Sequence, residues 1–183
     1  KTKDISMVEG PILFKMLRFA LPIMMTGVLQ LLFNAADIAV VGRFASNGVI
    51  AVGAVGACGS LINLIVNSSM GLSLGVGVAV AHDIGSGSRD RMGKVIHTAV
   101  VTGAVLGLLV ACVGFFFARP LLRLMDTPDN VLTEAVPYMK AYFVGMPAML
   151  LYNFLASSLR SSGDSKHPLI FLAISGLANV LIN

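Results

Sequence analysis

The sequence predicts an all-α polytopic membrane protein with about five membrane-spanning helices. Three observations carry that prediction. Apolar runs long enough to cross a hydrocarbon core of about 30 Å recur along the chain. Of the 183 residues only 12% are charged, where soluble domains carry about 25%, and the mean hydropathy is +0.87. The charges that do occur gather between the runs, as they do in polytopic membrane proteins.

Residues 1–15, KTKDISMVEGPILFK, are polar and then amphipathic. Glu9-Gly10-Pro11 reads as a helix start with Pro11 at the first helical position. Residues 16–183 then hold the spans. Span 1 covers about 16–41 and contains Pro22, which removes one backbone hydrogen bond and offers a kink or a hinge. Span 2, about 52–80, is glycine-rich. Gly53, Gly56 and Gly59 repeat every three residues, and Gly71 and Gly75 stand four apart, spacings that let helices approach closely in lipid. Asn63 and Asn67 share a helix face and suit either a cavity wall or interhelical hydrogen bonds. A polar loop, 82–94, leads to span 3 at about 95–117. Gly103 and Gly107 form another close-packing pair, and Arg119-Pro120 is expected to end this span. Thr127-Pro128 reads as an N-cap followed by a first-turn proline. Span 4 is about 131–159. After the loop LRSSGDSKHP, span 5 opens at Pro168 and runs to Asn183 with no closing loop, which reads as a piece of a longer chain.

Basic residues set the orientation. Nine fall on one side (Lys1, Lys3, Lys15, Arg18, Arg89, Arg91, Lys94, Arg160 and Lys166) and three, Arg43, Arg119 and Arg123, on the other. The positive-inside rule then places the N-terminus in the cytoplasm, in a bacterial-type cytoplasmic membrane. The net charge of +4 is therefore a topology signal and not a nucleic-acid surface. Cys58 and Cys112 lie inside apolar runs with no metal-ligand spacing and read as small buried groups. His82, His97 and His167 sit at loops. No nucleophile elbow, Walker loop or metal cluster is present, so neither an enzyme nor a cofactor is expected.

What remains is polar groups at membrane depth. Asp37 leads, with Gln30 and Asn34 in the same span. A charge there costs about 2.5–3.5 kcal/mol on insertion scales, so it must be shielded by partners or neutralised by a proton. Either it fixes helix packing, or it is a cation or proton site. Asn179 and Asn183 share a face of span 5. With Asp37 they would make an oxygen-rich pocket for a hard monovalent cation or a proton relay. Raising an aspartate from about 3.9 to near 7 takes roughly 4 kcal/mol of desolvation, which is available at this depth.

Pro22, Gln30, Asn34, Asp37 and Val41-Gly42-Arg43, then GLSLGVGVAVAHDIGSG (71–87), then LYNFLASSLRSSGDSKHP (151–168) together resemble the first part of a multidrug and toxic compound extrusion (MATE) transporter. The resemblance covers nearly the whole chain. It implies twelve helices in two six-helix lobes around a V-shaped cavity, this chain matching helices 1–5 of the N-terminal lobe, with the C-terminal lobe as a partner. It implies an antiporter exporting small organic cations and drugs against inward H+ or Na+. Asp37 and Asn179 would hold the coupling ion, H+ or Na+, with no other metal. Asn183 stands where many relatives have aspartate, and Phe33 where many have tyrosine. Tyr138 and Asn153 match positions around the N-lobe pocket, and Pro22 matches a helix-1 bend. The ten methionines suit a polyspecific cavity or simple packing against lipid. Two other readings compete: a lipid-linked oligosaccharide or polysaccharide flippase of the same architecture, and a non-transporting assembly protein. A flippase for an anionic lipid calls for deep basic residues. The only one here is Lys140, while the deep charge is the acid Asp37.

Overall fold

The computed structural model describes residues 12–44 and 48–182. They form five helices and no strand: α1 Ile12–Phe44, α2 Gly48–Gly85, α3 Arg89–Leu124, α4 Asp129–Ser161 and α5 Lys166–Ile182. The first four are long and apolar enough to cross a membrane. At 38 residues, α2 is about 57 Å long, well beyond a hydrocarbon core of about 30 Å.

Every helix therefore outruns the span expected from hydropathy. The polar loop expected at 82–94 shrinks to Ser86–Ser88, because α2 continues to Gly85 and α3 begins at Arg89. Gly87 takes φ 71°, the left-handed conformation that lets so short a link reverse the chain. Gly163 does the same, at φ 90°, between α4 and α5. Pro120 does not end α3. The helix runs through it to Leu124, and the chain turns only at Asp126, whose φ is 53°. Thr127 is not the N-cap of α4: Pro128 occupies that position, with no side-chain cap bond. The helix start expected at Pro11 lies outside the described residues.

The core sits between α2, α3 and α4. It is built on Cys58, Ala118, Leu122, Leu132, Met139, Phe143, Met146 and Leu150, all at most 3% exposed. Small residues bring these helices together. A methyl at Gly107 would stand 2.6 Å from Pro147 Cα, so α3 and α4 touch backbone to backbone there. Gly103 lies in ordinary contact with Leu151 and Phe154, as its spacing with Gly107 predicts. Of the α2 glycines, Gly53 meets Val131, but Gly56, Gly59, Gly71 and Gly75 have nothing within 4 Å. The close approach on α2 is made instead by Gly77, against the hydroxyls of Ser157 and Ser161.

These contacts fix the directions. Gly53 by Val131, Cys58 by Ala135 and Gly77 by Ser157 rise together, so α2 and α4 run parallel. The tight turns make α3 antiparallel to both and α5 antiparallel to α4. Helix α1 stands apart from this core. It packs on α2 and α5 and makes no close backbone approach to α3 or α4 among the described residues. Its joint with α5 is the Phe33 ring seated on Gly176, and its joint with α2 brings Gly42 to Val52.

Candidate functional site

Helix α1 faces the bundle along one narrow stripe. Pro22, Thr26, Gln30, Phe33, Asp37 and Val41 return every three or four residues and are buried or half-buried. Leu21, Met24, Val28 and Leu31 on the other side are more than half exposed. Asp37 thus belongs to the inward stripe, about 10 Å from the end of α1. Gln30 lies on the same stripe, two turns away. Asn34 is at its margin and is exposed.

Pro22 lies within α1, and its missing N–H frees a carbonyl one turn back. The Thr26 hydroxyl donates to the Pro22 carbonyl at 2.9 Å. Such back-bonding loosens the helix ladder and favours a bend. Thr26 is also 8% exposed, the most buried polar group described on α1.

Tyr138 of α4 lies within electrostatic range of Asp37, although the α1 and α4 backbones make no close approach among the described residues. Below Tyr138, the Cys58 thiol donates to the Ala135 carbonyl at 3.6 Å and closes the α2–α4 seam. On the remaining side stands α5, which runs parallel to α1. Counting from the Phe33–Gly176 joint, Asp37 is about 6 Å further along α1, and Asn179 about 4.5 Å further along α5. The two positions share a level to within about 1.5 Å. Asn183 lies outside the described residues.

Asn153 is placed elsewhere. It is fifteen residues from Tyr138 along α4, a separation of about 22 Å. It is 3% exposed in the packed α2–α3–α4 seam, with its amide nitrogen lacking a hydrogen-bond partner. By the parallel register, Ser73, itself 2% exposed, stands at its level on α2. Asn153 therefore packs between helices and does not line the space at Asp37.

Asp83 is a buried acid that the sequence reading did not single out, at the opposite end of α2 from Asp37. It is 6% exposed, with His82 Nδ1 at 3.7 Å from its carboxylate. The available signal was the length of the apolar pattern: once α2 is carried to Gly85, Asp83 falls on its buried face with Gly77 and Val80.

No group of three or more His, Cys, Asp or Glu side chains converges to hold a metal among the described residues.

The fold and this site define a class: a polytopic helical membrane protein with one acid on the inward stripe of a loosely packed first helix. The chain belongs to the MatE family, whose model matches residues 22–183. Its relatives include the probable multidrug resistance protein YoeA of Bacillus subtilis, 32% identical over 164 residues, 90% of this chain and 35% of that protein. They also include a probable multidrug resistance protein NorM of Thermotoga maritima, 23% identical over 92% of this chain and 36% of that protein. Among solved structures, MATE in its bent conformation matches with a TM-score of 0.88 at 21% identity, over 99% of this chain and 40% of that one. A MOP superfamily transporter from Pyrococcus furiosus matches with a TM-score of 0.87 at 21% identity, over 99% of this chain and 39% of that one. The chain spans between a third and two fifths of the length of these relatives.

Proposed function

We propose that this chain supplies the cation-binding lobe of a secondary antiporter that exports organic cations in exchange for inward H+ or Na+. The observation that carries the reading is Asp37, a carboxylate on the inward stripe of a helix at membrane depth. Its charged form needs water or a cation, and its neutral form can be buried. Each form favours a different packing of α1 against α5 and α2, and two packings with different access are what exchange requires. An inward monovalent cation supplies about 2.3 kcal/mol per 100 mV of membrane potential. The build supports this mechanism, because α1, with its Pro22–Thr26 back-bond, packs on α2 and α5 and makes no close backbone approach to α3 or α4 among the described residues. In this reading residues 1–15 lie in the cytoplasm, and the tight turns at Gly87 and Gly163 face the same side.

One observation favours a second cargo class. An FAD transporter of Shewanella oneidensis is 26% identical over 123 residues, 67% of this chain and 27% of that protein. FAD is anionic, whereas the deep charge here is an acid, and that difference places organic cations first. The test is efflux of ethidium from cells expressing the full-length protein, with and without Asp37→Asn at matched membrane expression. Efflux should fall to background in the variant. Equal efflux from both forms removes Asp37 from the mechanism. Release of FAD without ethidium efflux replaces the cargo.

A further inference from the structure

Helices α2 and α3 do not close on each other along their outer face. Two cavities lie between them, one of about 510 Å³ near the Ser86–Ser88 turn and one of about 470 Å³ deeper. Gly75, Ala79, Lys94 and Val95 line both, so the two form one continuous groove. Its floor is open because Gly75 carries no side chain and nothing lies within 4 Å of where one would be.

The groove is polar at one end only. At the turn end stand Arg91 and Lys94, three residues apart and therefore on one face of α3, with His82 across from them. Two acids stand near them. Asp83 lines the same mouth but is 6% exposed, with His82 at 3.7 Å, and Asp90 precedes Arg91 directly and stands one turn before Lys94. Further in, the walls are Leu72, Val76, Ala99, Leu106 and Phe154. Thr98 adds no polarity there, since its hydroxyl donates to the Lys94 carbonyl at 2.9 Å. From Lys94 to Leu106 the groove runs about 18 Å along α3. One leaflet of hydrocarbon is about 15 Å deep.

A cationic mouth at the end of the bundle that gathers most of the basic residues, over an apolar trough one leaflet long, has the shape of a phospholipid. We infer that the α2–α3 groove binds an anionic phospholipid, its phosphate between Arg91 and Lys94 and one acyl chain lying over Gly75 and Ala79. The inference is independent of cargo and coupling ion.

The test uses the full-length protein, purified in detergent and offered equal amounts of phosphatidylglycerol and phosphatidylcholine. Native mass spectrometry reads the lipid retained, and thermal unfolding reads the stabilisation. Wild type should retain phosphatidylglycerol over phosphatidylcholine by about thirtyfold, the effect of two basic groups at a membrane surface. The double variant Arg91→Gln, Lys94→Gln should bring that ratio close to one. Ala79→Leu, which fills the trough and leaves the charges alone, should lower retention of both lipids. It keeps the test open if the double variant does not fold. An unchanged ratio in the double variant, or unchanged retention in Ala79→Leu, overturns the proposal. So does stabilisation reproduced by inorganic phosphate alone, which reduces the mouth to an ion site. A wild-type protein that retains no lipid also overturns it, and assigns the groove to another segment of the transporter.

Discussion

Gly107→Ala probes the joint that holds the core together. The added methyl would stand 2.6 Å from Pro147 Cα and 3.3 Å from Pro147 Cβ. Ordinary carbon contacts begin near 3.5 Å, so the helices must part by nearly 1 Å. Nothing can swing aside, because the obstacle is backbone and a fixed ring. Overpacking of this kind costs about 1–3 kcal/mol. Against it stands the helix preference of alanine over glycine, up to about 1 kcal/mol. Gly145→Ala separates the two terms, since Gly145 lies two residues from Pro147 in α4 with nothing within 4 Å. It should gain the preference without the clash. The expected result is a full-length Gly107→Ala protein less stable than Gly145→Ala by about 1–3 kcal/mol in detergent-driven unfolding. Two variants that shift alike would refute the backbone contact, and with it the assignment of α2–α3–α4 as the rigid part.

Two further outcomes are expected. Gly176→Ala sets a methyl against the Phe33 ring and should destabilise by about 1–3 kcal/mol, with Phe33→Leu restoring part of the loss. A double-mutant cycle with no coupling would mean the ring is not seated there. Asp164 accepts the backbone N–H groups of Lys166 at 3.1 Å and His167 at 3.2 Å and also meets the His167 ring. Asp164→Asn keeps an accepting oxygen but removes the negative charge that strengthens these contacts, and should cost about 0.5 kcal/mol at pH 7. Burial alone would raise the Asp164 carboxyl, but the bonds from His167 and Lys166 hold it below the usual carboxylate range. Its contribution is therefore complete above the ordinary value of about 3.9 and lost as pH falls through the depressed one. The stability gap between wild type and Asp164→Asn should close on acidification below about pH 4. A constant gap would show that the ionised form is not the one that matters.

The helix count and order were legible because a hydrocarbon core imposes a minimum apolar length that the chain repeats. Helix ends were less legible, since hydropathy reports where lipid is and not where backbone bonding stops. That is why α2 and α3 between them take all of the expected loop but Ser86–Ser88, and why Pro120 sits inside α3. Spacing alone also could not say which glycines meet a neighbour. Gly71 and Gly75 have the same four-residue interval as Gly103 and Gly107, but they face outward, and Gly75 opens a groove. Of the candidate site, Asp37 stood out as a lone acid in an apolar run. Its proximity to Tyr138 depends on the register of two helices about a hundred residues apart, which no local pattern encodes. For Asn153 a position along the chain did not determine a neighbourhood: it shares α4 with Tyr138 but lies about four turns away.

The Phe33–Gly176 joint also has a consequence for synthesis of the chain. The two residues are about 140 positions apart, and at roughly 5–20 residues per second Gly176 is made on the order of 10 s after Phe33. During that interval α1 is already in the bilayer, while the helix that will stand beside its acid does not yet exist. Asp37 must then be tolerated by lipid, by a bound proton or by the insertion machinery itself.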